Sequence, residues 1–260
     1  MRFLVLIFTI GSLLGCTGLF GKDGEGDSGT SVVDPQPADA DADADSDSDS
    51  DADADSDADT DTDTGSTTGL DPADLVGNSY VIDLTAGTVM KPAAIGSLLM
   101  TYIEDDLLME VEGSGRTTLD LLSGFGPHGA RPAEQDLCSP TADMSGSDFR
   151  SNPDFTSASG ELTTTMSGAS MVIEDSTITG TFAGAGDTIE NAEFTGLVET
   201  DSLDALVGGG KGSFCDTLSS FGDSCVDCAD GTPYCMELDI ADLAGAAGGK
   251  LDLVPVTSGC

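Results

Sequence analysis

Hydrophobic and polar residues alternate along much of residues 71–260, and this two-residue period is typical of β-strands. Every second side chain then lies on one face of a sheet, so that one face can be buried while the other stays in water. The runs that show this pattern, or that are rich in strand-forming residues, are 79–84, 107–112, 117–122, 176–182, 188–198, 236–240 and 251–256. The pattern predicts a mainly β domain.

The clearest hairpin joins 176–182 to 188–198 through the glycine-rich loop 183–187. Helical spacing is confined to two short segments, 95–103 and 213–221, which are predicted peripheral helices. Strand 251–256 is predicted at a sheet edge because Pro255 has no N–H to donate. We therefore expect a single β-barrel or β-sandwich with a few short helices.

The N-terminus has a basic start at Arg2 and an apolar run from Phe3 to Leu14. This run spans roughly 18 Å as a helix, too short for a hydrocarbon core of roughly 30 Å, and it predicts an export signal over residues 1–15. The segment Leu13-Leu14-Gly15-Cys16 resembles the bacterial lipobox. The resemblance implies that Cys16 becomes the acylated N-terminus, carrying lipid such as palmitate, and holds the protein on a membrane. Thr17, in place of the Asp that favours inner-membrane retention, implies an outer-membrane lipoprotein of the cell envelope, facing the periplasm or the surface.

From residue 39 to residue 63 every second residue is Asp, with Ala, Ser or Thr between. Carboxylates about 7 Å apart repel one another within the roughly 8 Å screening length, and no apolar residue offers a core. The run therefore predicts a disordered, extended stalk over 16–70, followed by a folded domain over 71–260. Such a stalk resembles those on myxobacterial surface lipoproteins of unknown function.

The Asp run also resembles the start of an EF-hand loop, which would make the protein a calcium-responsive surface adhesin. An EF-hand loop needs Gly at its sixth position and Glu at its twelfth, and the run has neither. We expect only a weak association of calcium with the run, and no cofactor otherwise.

Acidic residues dominate the folded part as well. Residues 71–260 carry 31 acidic and 6 basic residues, a formal charge of −25. Affinity for phosphates rests on Lys and Arg, so this balance excludes nucleic acid as a partner. The partners expected are the membrane, through the lipid anchor, and a small apolar ligand or an envelope protein or glycan.

Six cysteines follow Cys16, and an even number outside the cytoplasm predicts disulfides that stabilise a loop-rich C-terminal segment. The candidates are Cys138, Cys215, Cys225, Cys228, Cys235 and Cys260. Two other interpretations stay open: zinc binding by the clustered cysteines, and redox chemistry at the Cys-x-x-Cys spacing of Cys225 and Cys228.

No complete catalytic motif occurs in the sequence. The one histidine, His128, is predicted in an exposed Gly-Pro loop, and Ser224 lies in a partial match to an esterase motif. The acidic pairs 105–106 and 174–175 could serve glycoside hydrolysis but are predicted to be solvated surface. We expect a non-enzymatic domain that binds a ligand or partner, with an envelope hydrolase as the alternative.

Overall fold

The computed structural model describes residues 69–249 and 251–260, and these residues form ten strands and a few short helices. The predicted signal, Cys16 and the Asp run lie outside this part of the chain. The strands are β1 (Ser79–Ile82), β2 (Thr88–Lys91), β3 (Asp105–Ser114), β4 (Thr118–Pro127), β5 (Ala142–Asp148), β6 (Asp154–Thr156), β7 (Gly160–Met166), β8 (Ala169–Ala183), β9 (Thr188–Glu199) and β10 (Cys235–Ala247). The helices are α1 (Gly96–Met100), α2 (Asp201–Asp204) and α3 (Ser213–Ser220), with 3₁₀ turns at Pro72–Leu75 and Leu84–Ala86. The mainly β prediction is confirmed.

The strands pair in a ring. Neighbours follow the order β1-β3-β4-β5-β6-β8-β9-β10, and β10 also pairs with β1, which closes the sheet into a barrel of antiparallel strands. Two strands, β7 and β2, are not part of this ring. β7 pairs with β8, while β2 continues along the edge of β10 beyond the point where β1 leaves it.

Alternate side chains of the ring strands fill the barrel. On β8, for example, Met171, Ile173, Ile178 and Phe182 are all buried. Further apolar residues cover the ends of the barrel: Leu75 from the first 3₁₀ turn at one end, and Leu99, Leu203, Phe214 and Leu218 from the helices at the other. The result is a continuous apolar core.

A second, smaller apolar cluster lies outside the barrel wall. Val81, Leu108 and Leu122 point outward from β1, β3 and β4, and they pack against Leu253. The C-terminal segment therefore lies across the outer face of these three strands. We call residues 251–260 the C-terminal strap.

The prediction of a strand at 251–256 is wrong, because this segment is held mainly by side chains. The backbone N–H of Leu253 donates to Glu110 Oε2 at 2.6 Å, and the N–H of Val254 donates to Gln135 Oε1 at 2.9 Å. The N–H of Val256 donates to Thr141 Oγ1 at 2.9 Å. Side-chain acceptors replace the carbonyls of a neighbouring strand, so no ladder forms.

All six cysteines of the described residues are disulfide-bonded, as predicted. The bonds are Cys138–Cys260, Cys215–Cys225 and Cys228–Cys235. Cys225 and Cys228 pair with different partners, so the Cys-x-x-Cys spacing forms no redox pair, and none of these six cysteines keeps a thiol for zinc. In the part of the chain that the structure describes, no helix has the length and hydropathy needed to cross a bilayer.

Candidate functional site

His128 lies between two aspartates just after β4. Its Nδ1 is 2.6 Å from Asp106 Oδ1 and 3.7 Å from Asp83 Oδ1. The second oxygen of Asp106 accepts from the backbone N–H of Gly129 at 2.9 Å. The ligand-type atoms of Asp83, Asp106 and His128 all lie within 4.8 Å of one another, so these residues could hold a divalent cation.

Strand register creates this cluster. Asp106 on β3 lies opposite Gly126 on β4, and the chain then turns so that His128 comes back over Asp106. The loop that follows this turn passes so close to Gly126 that a Cβ there would clash with the carbonyl oxygen of Glu134, which explains the glycine. Asp106 is thus covered, with its side chain only 4 % exposed, whereas the His128 side chain is 45 % exposed.

The prediction that Asp105 and Asp106 are solvated surface is wrong, because both are buried. They point to opposite sides of β3, as adjacent strand residues do. Asp105 points into the barrel, where Thr164 Oγ1 donates to its Oδ2 at 2.7 Å. The two carboxyls therefore form no catalytic pair.

The hydrolase alternative had two sets of candidate residues: the acidic pairs, or Ser224 and His128. His128 contacts Asp106 and Asp83, whereas Ser224 lines a different recess near the end of α3. Within residues 69–249 and 251–260, no hydrogen bond joins His128 to Ser224. The Asp106–His128 pair acts here to hold the turn after β4 against the barrel wall.

The His128 pair predicts a dependence of stability on pH. The hydrogen bond with Asp106 raises the pKa of His128 above its usual value, and the charges of Asp106 and Asp83 add to this. The folded-state pKa of His128 lies above its unfolded value of about 6.5. The pair therefore makes its full contribution to the free energy of unfolding below about pH 6.5, and this contribution is lost as pH rises through the folded-state pKa. NMR titration of the His128 imidazole should give a midpoint above about 6.5 in the wild type. The midpoint should return towards about 6.5 in Asp106→Asn.

In the same titration, Asp148→Asn is the matched control, because its carboxylate pairs with Arg150 instead. Because the His128 ring is half-exposed, solvent screens its interaction with Asp106. The pair therefore contributes less than about 1 kcal/mol to the free energy of unfolding. A wild-type midpoint at or below about 6.5 would contradict the cause given.

Two recesses lie side by side on the part of the wall that β2 and β10 form. The first has a volume of about 290 Å³, and its lining includes Lys91, Asp175, Thr195, Glu237 and Asp239. The second, about 260 Å³, is lined by Met90, Pro92, Leu218, Asp223 and Met236 among others. We call them the acidic recess and the mixed recess, because Lys91, Asp223, Ser224 and Glu237 also line the second one. They share the Lys91–Glu237 ion pair, whose Nζ and Oε2 are 2.7 Å apart.

Strand register and two bulges build the acidic recess. Thr195, Asp239 and Lys91 are neighbours across β9, β10 and β2. On β8 the register shifts between Glu174 and Thr177, and Asp175 there has a φ of 47°, in the left-handed region that Asp tolerates better than most residues. On β2 an extra residue, Met90, is inserted between the partners of Asp239 and Ile240.

Acidic groups continue from the recess along the outer face. Burial raises the pKa of Glu199, and its hydrogen bond with Glu174 raises that pKa further. Glu174 also accepts from the backbone N–H of Ala229 at 2.8 Å. The predicted pair was Glu174 with Asp175. The pair that forms is Glu174 on β8 with Glu199 on the neighbouring strand β9.

Sequence reasoning missed most residues of these recesses. Lys91, Glu237 and Asp239 come from distant positions and meet only through sheet pairing, and their sequence neighbours carry no motif. The period-two alternation did place Glu237 and Asp239 on one face of the predicted strand 236–240. What the sequence lacked was the identity of the strand beside them.

The fold and the recesses define a class: a disulfide-bonded, antiparallel β-barrel with a filled interior and concave features on its outer wall. No family model, curated protein or solved structure matches the chain. Function is therefore inferred from geometry and charge.

Proposed function

We propose that this protein is a bacterial envelope lipoprotein, anchored through acylated Cys16, which presents the barrel on an acidic stalk and binds a protein partner on the barrel's outer wall. The observation that carries the binding part is the filled interior. Apolar side chains occupy the barrel and cover its ends, while both recesses lie outside it. A small apolar ligand inside the barrel would need the space that these side chains occupy.

The anchoring part rests on the lipobox resemblance and is tested by Cys16→Ser. We expect this variant to lose incorporation of labelled palmitate in a Gram-negative host and to move from the membrane to the soluble fraction. The physical reason is that each buried acyl methylene contributes roughly 0.8 kcal/mol, so that several chains make anchoring nearly permanent.

Thr17→Asp is the matched control for this experiment. It keeps Cys16, so palmitate incorporation should persist while the protein shifts towards the inner membrane. Palmitate incorporation that survives Cys16→Ser would contradict the lipoprotein assignment.

A second candidate is an envelope hydrolase, favoured only by the His128–Asp106 pair. His128→Asn should then abolish hydrolysis of ester or glycan substrates, and Ser224→Ala should abolish it if Ser224 takes part. Hydrolysis that persists in His128→Asn clears His128 of a catalytic role.

A further inference from the structure

The three disulfides differ in their access to solvent. The Cys138–Cys260 bond joins the C-terminal strap to the loop between β4 and β5, and both of its cysteines are exposed. The Cys228–Cys235 bond is buried, and the Cys215–Cys225 bond is half-buried. Thiol–disulfide exchange needs direct access to a sulfur, so a reductant in solution reaches the Cys138–Cys260 bond first.

We propose that the Cys138–Cys260 disulfide is a redox switch, which a dithiol reductant opens in the folded protein so that the strap leaves the apolar residues Val81, Leu108 and Leu122. A thiolate of the reductant attacks one sulfur and breaks the S–S bond, and the other cysteine leaves as a thiolate that takes up a proton. The second thiol of the reductant then displaces the first cysteine from the mixed disulfide. The reductant is oxidised to its own disulfide, and the two cysteines are reduced to thiols. This switch goes beyond the proposed binding function and does not depend on it.

The loop that carries Cys138 is fixed without the help of the disulfide. The backbone N–H of Asp136 donates to the carbonyl of Phe125 on β4 at 2.8 Å. The side chain of Asp136 accepts from the N–H of Cys138 at 2.9 Å and from Ser139 Oγ at 2.6 Å. Cys138 should therefore stay in place after reduction, and the strap is the part that moves.

The strap itself has few contacts. Within residues 251–260, Leu253 is the one buried apolar side chain, and Leu251 lies half-buried beside it. The strap follows Gly249, which has a φ of 76° and open space where a Cβ would be. A glycine in this conformation lets the chain rotate at that point. Once the disulfide opens, little holds the strap on the barrel wall.

Release of the strap leaves the barrel closed. The cluster that includes Leu253 is separate from the apolar core inside the barrel. Strand β1 pairs with β3 and with β10 through backbone hydrogen bonds that do not involve the strap. The opening is therefore local, and the folded barrel persists in both redox states.

The disulfide and the strap contacts stabilise each other. If the bond favours the closed strap by some factor, the strap contacts favour the bond over the two thiols by the same factor. Loss of a strap contact should therefore make the Cys138–Cys260 bond easier to reduce, although no cysteine has changed.

The test equilibrates the full mature chain with Cys16→Ser at graded ratios of reduced to oxidised dithiothreitol. Thiols are then blocked with iodoacetamide and located by digestion and mass spectrometry. Label should reach Cys138 and Cys260 at a ratio at least about tenfold lower than the other four cysteines need. At that ratio the N–H groups of Leu253 and Val256 should exchange faster while the β8–β9 hairpin stays protected. Reoxidation should restore the protection of the strap.

Two substitutions test the link between the strap contacts and the bond. Leu253→Ala removes the buried contact and should lower the midpoint ratio for Cys138–Cys260 about tenfold or more. Gln135→Ala removes two hydrogen bonds to the backbone of Val254 and should lower it about two- to fivefold without touching an apolar contact. Val254→Ala is the matched control, because its side chain is 46 % exposed and the midpoint should not change.

Three outcomes would overturn the proposal. The first is label on Cys215 or Cys228 at the same ratio as on Cys138. The second is a strap that stays protected after reduction, or a β8–β9 hairpin that loses protection together with it, since the bond would then control no separate movement. The third is an unchanged midpoint in both Leu253→Ala and Gln135→Ala.

Discussion

Replacing Phe182 with Ala is expected to lower the free energy of unfolding by about 3–5 kcal/mol, the largest effect of any single substitution considered for this barrel. Phe182 is 2 % exposed and is the centre of an aromatic cluster. Its ring centroid lies 4.6 Å from that of Phe155, 5.5 Å from that of Tyr80 and 5.8 Å from that of Phe149. The rings come from four separate parts of the chain, so no one element can move in to fill the cavity.

Denaturant unfolding of the mature chain with Cys16→Ser measures this change. Phe221→Ala is the matched control, because its ring is 59 % exposed and should cost less than about 0.5 kcal/mol. Equal costs for the two substitutions would contradict the assignment of Phe182 to the core.

The same cluster includes a buried hydrogen bond that sequence analysis could not predict. Tyr80 OH donates to the carbonyl of Gly186 at 2.6 Å, which ties β1 to the turn between β8 and β9. Burial raises the pKa of Tyr80 to about 12, so the hydroxyl keeps its proton at physiological pH. The hairpin formed by β8 and β9 was predictable from its alternation and glycine-rich loop. Its contact with a strand about a hundred residues earlier was not.

Strands β5 and β6 were missed because they lack the composition that predicts a strand. β5 reads Ala-Asp-Met-Ser-Gly-Ser-Asp, in which only Ala142 and Met144 supply apolar burial. Neighbouring strands decide its conformation, because strand preference depends strongly on context. The long strands β3, β8 and β9 carry enough apolar alternation to be recognised without their partners.

The geometry of the candidate sites also depends on strand register. The distance between His128 and Asp106 depends on the pairing of Asp106 with Gly126, and a shift of one residue would place Asp106 on the other face of the sheet. The Gly-Pro surroundings of His128 correctly predicted an exposed turn, but the buried carboxyl beneath it was predicted as solvated surface. A buried acid with a histidine partner is visible only once the strands are paired.

Removing the Cys138–Cys260 disulfide by the double substitution Cys138→Ser and Cys260→Ser should produce the second large effect. This bond closes a loop of 122 residues, and in the chain-entropy description such a loop contributes about 4–5 kcal/mol. The bond also fastens the C-terminal strap. Without it the apolar residues Val81, Leu108 and Leu122 beneath Leu253 would become accessible to water more often.

Denaturant unfolding should show the loss of stability, and hydrogen exchange should locate it. The N–H groups of Leu253, Val254 and Val256, which donate to side chains on the barrel, should exchange much faster in the variant. Exchange in the β8–β9 hairpin, on another part of the wall, should rise only with the global loss of stability.

The pair Cys215→Ser and Cys225→Ser is the matched control. It removes a disulfide that spans only 10 residues, for which the same description gives about 2–3 kcal/mol. Its effect should be confined to α3 and the adjoining loop. If the two double variants lost equal stability and the strap stayed protected in both, the strap would be held by Leu253 and its hydrogen bonds alone, and the disulfide would add nothing to the closure of the long loop.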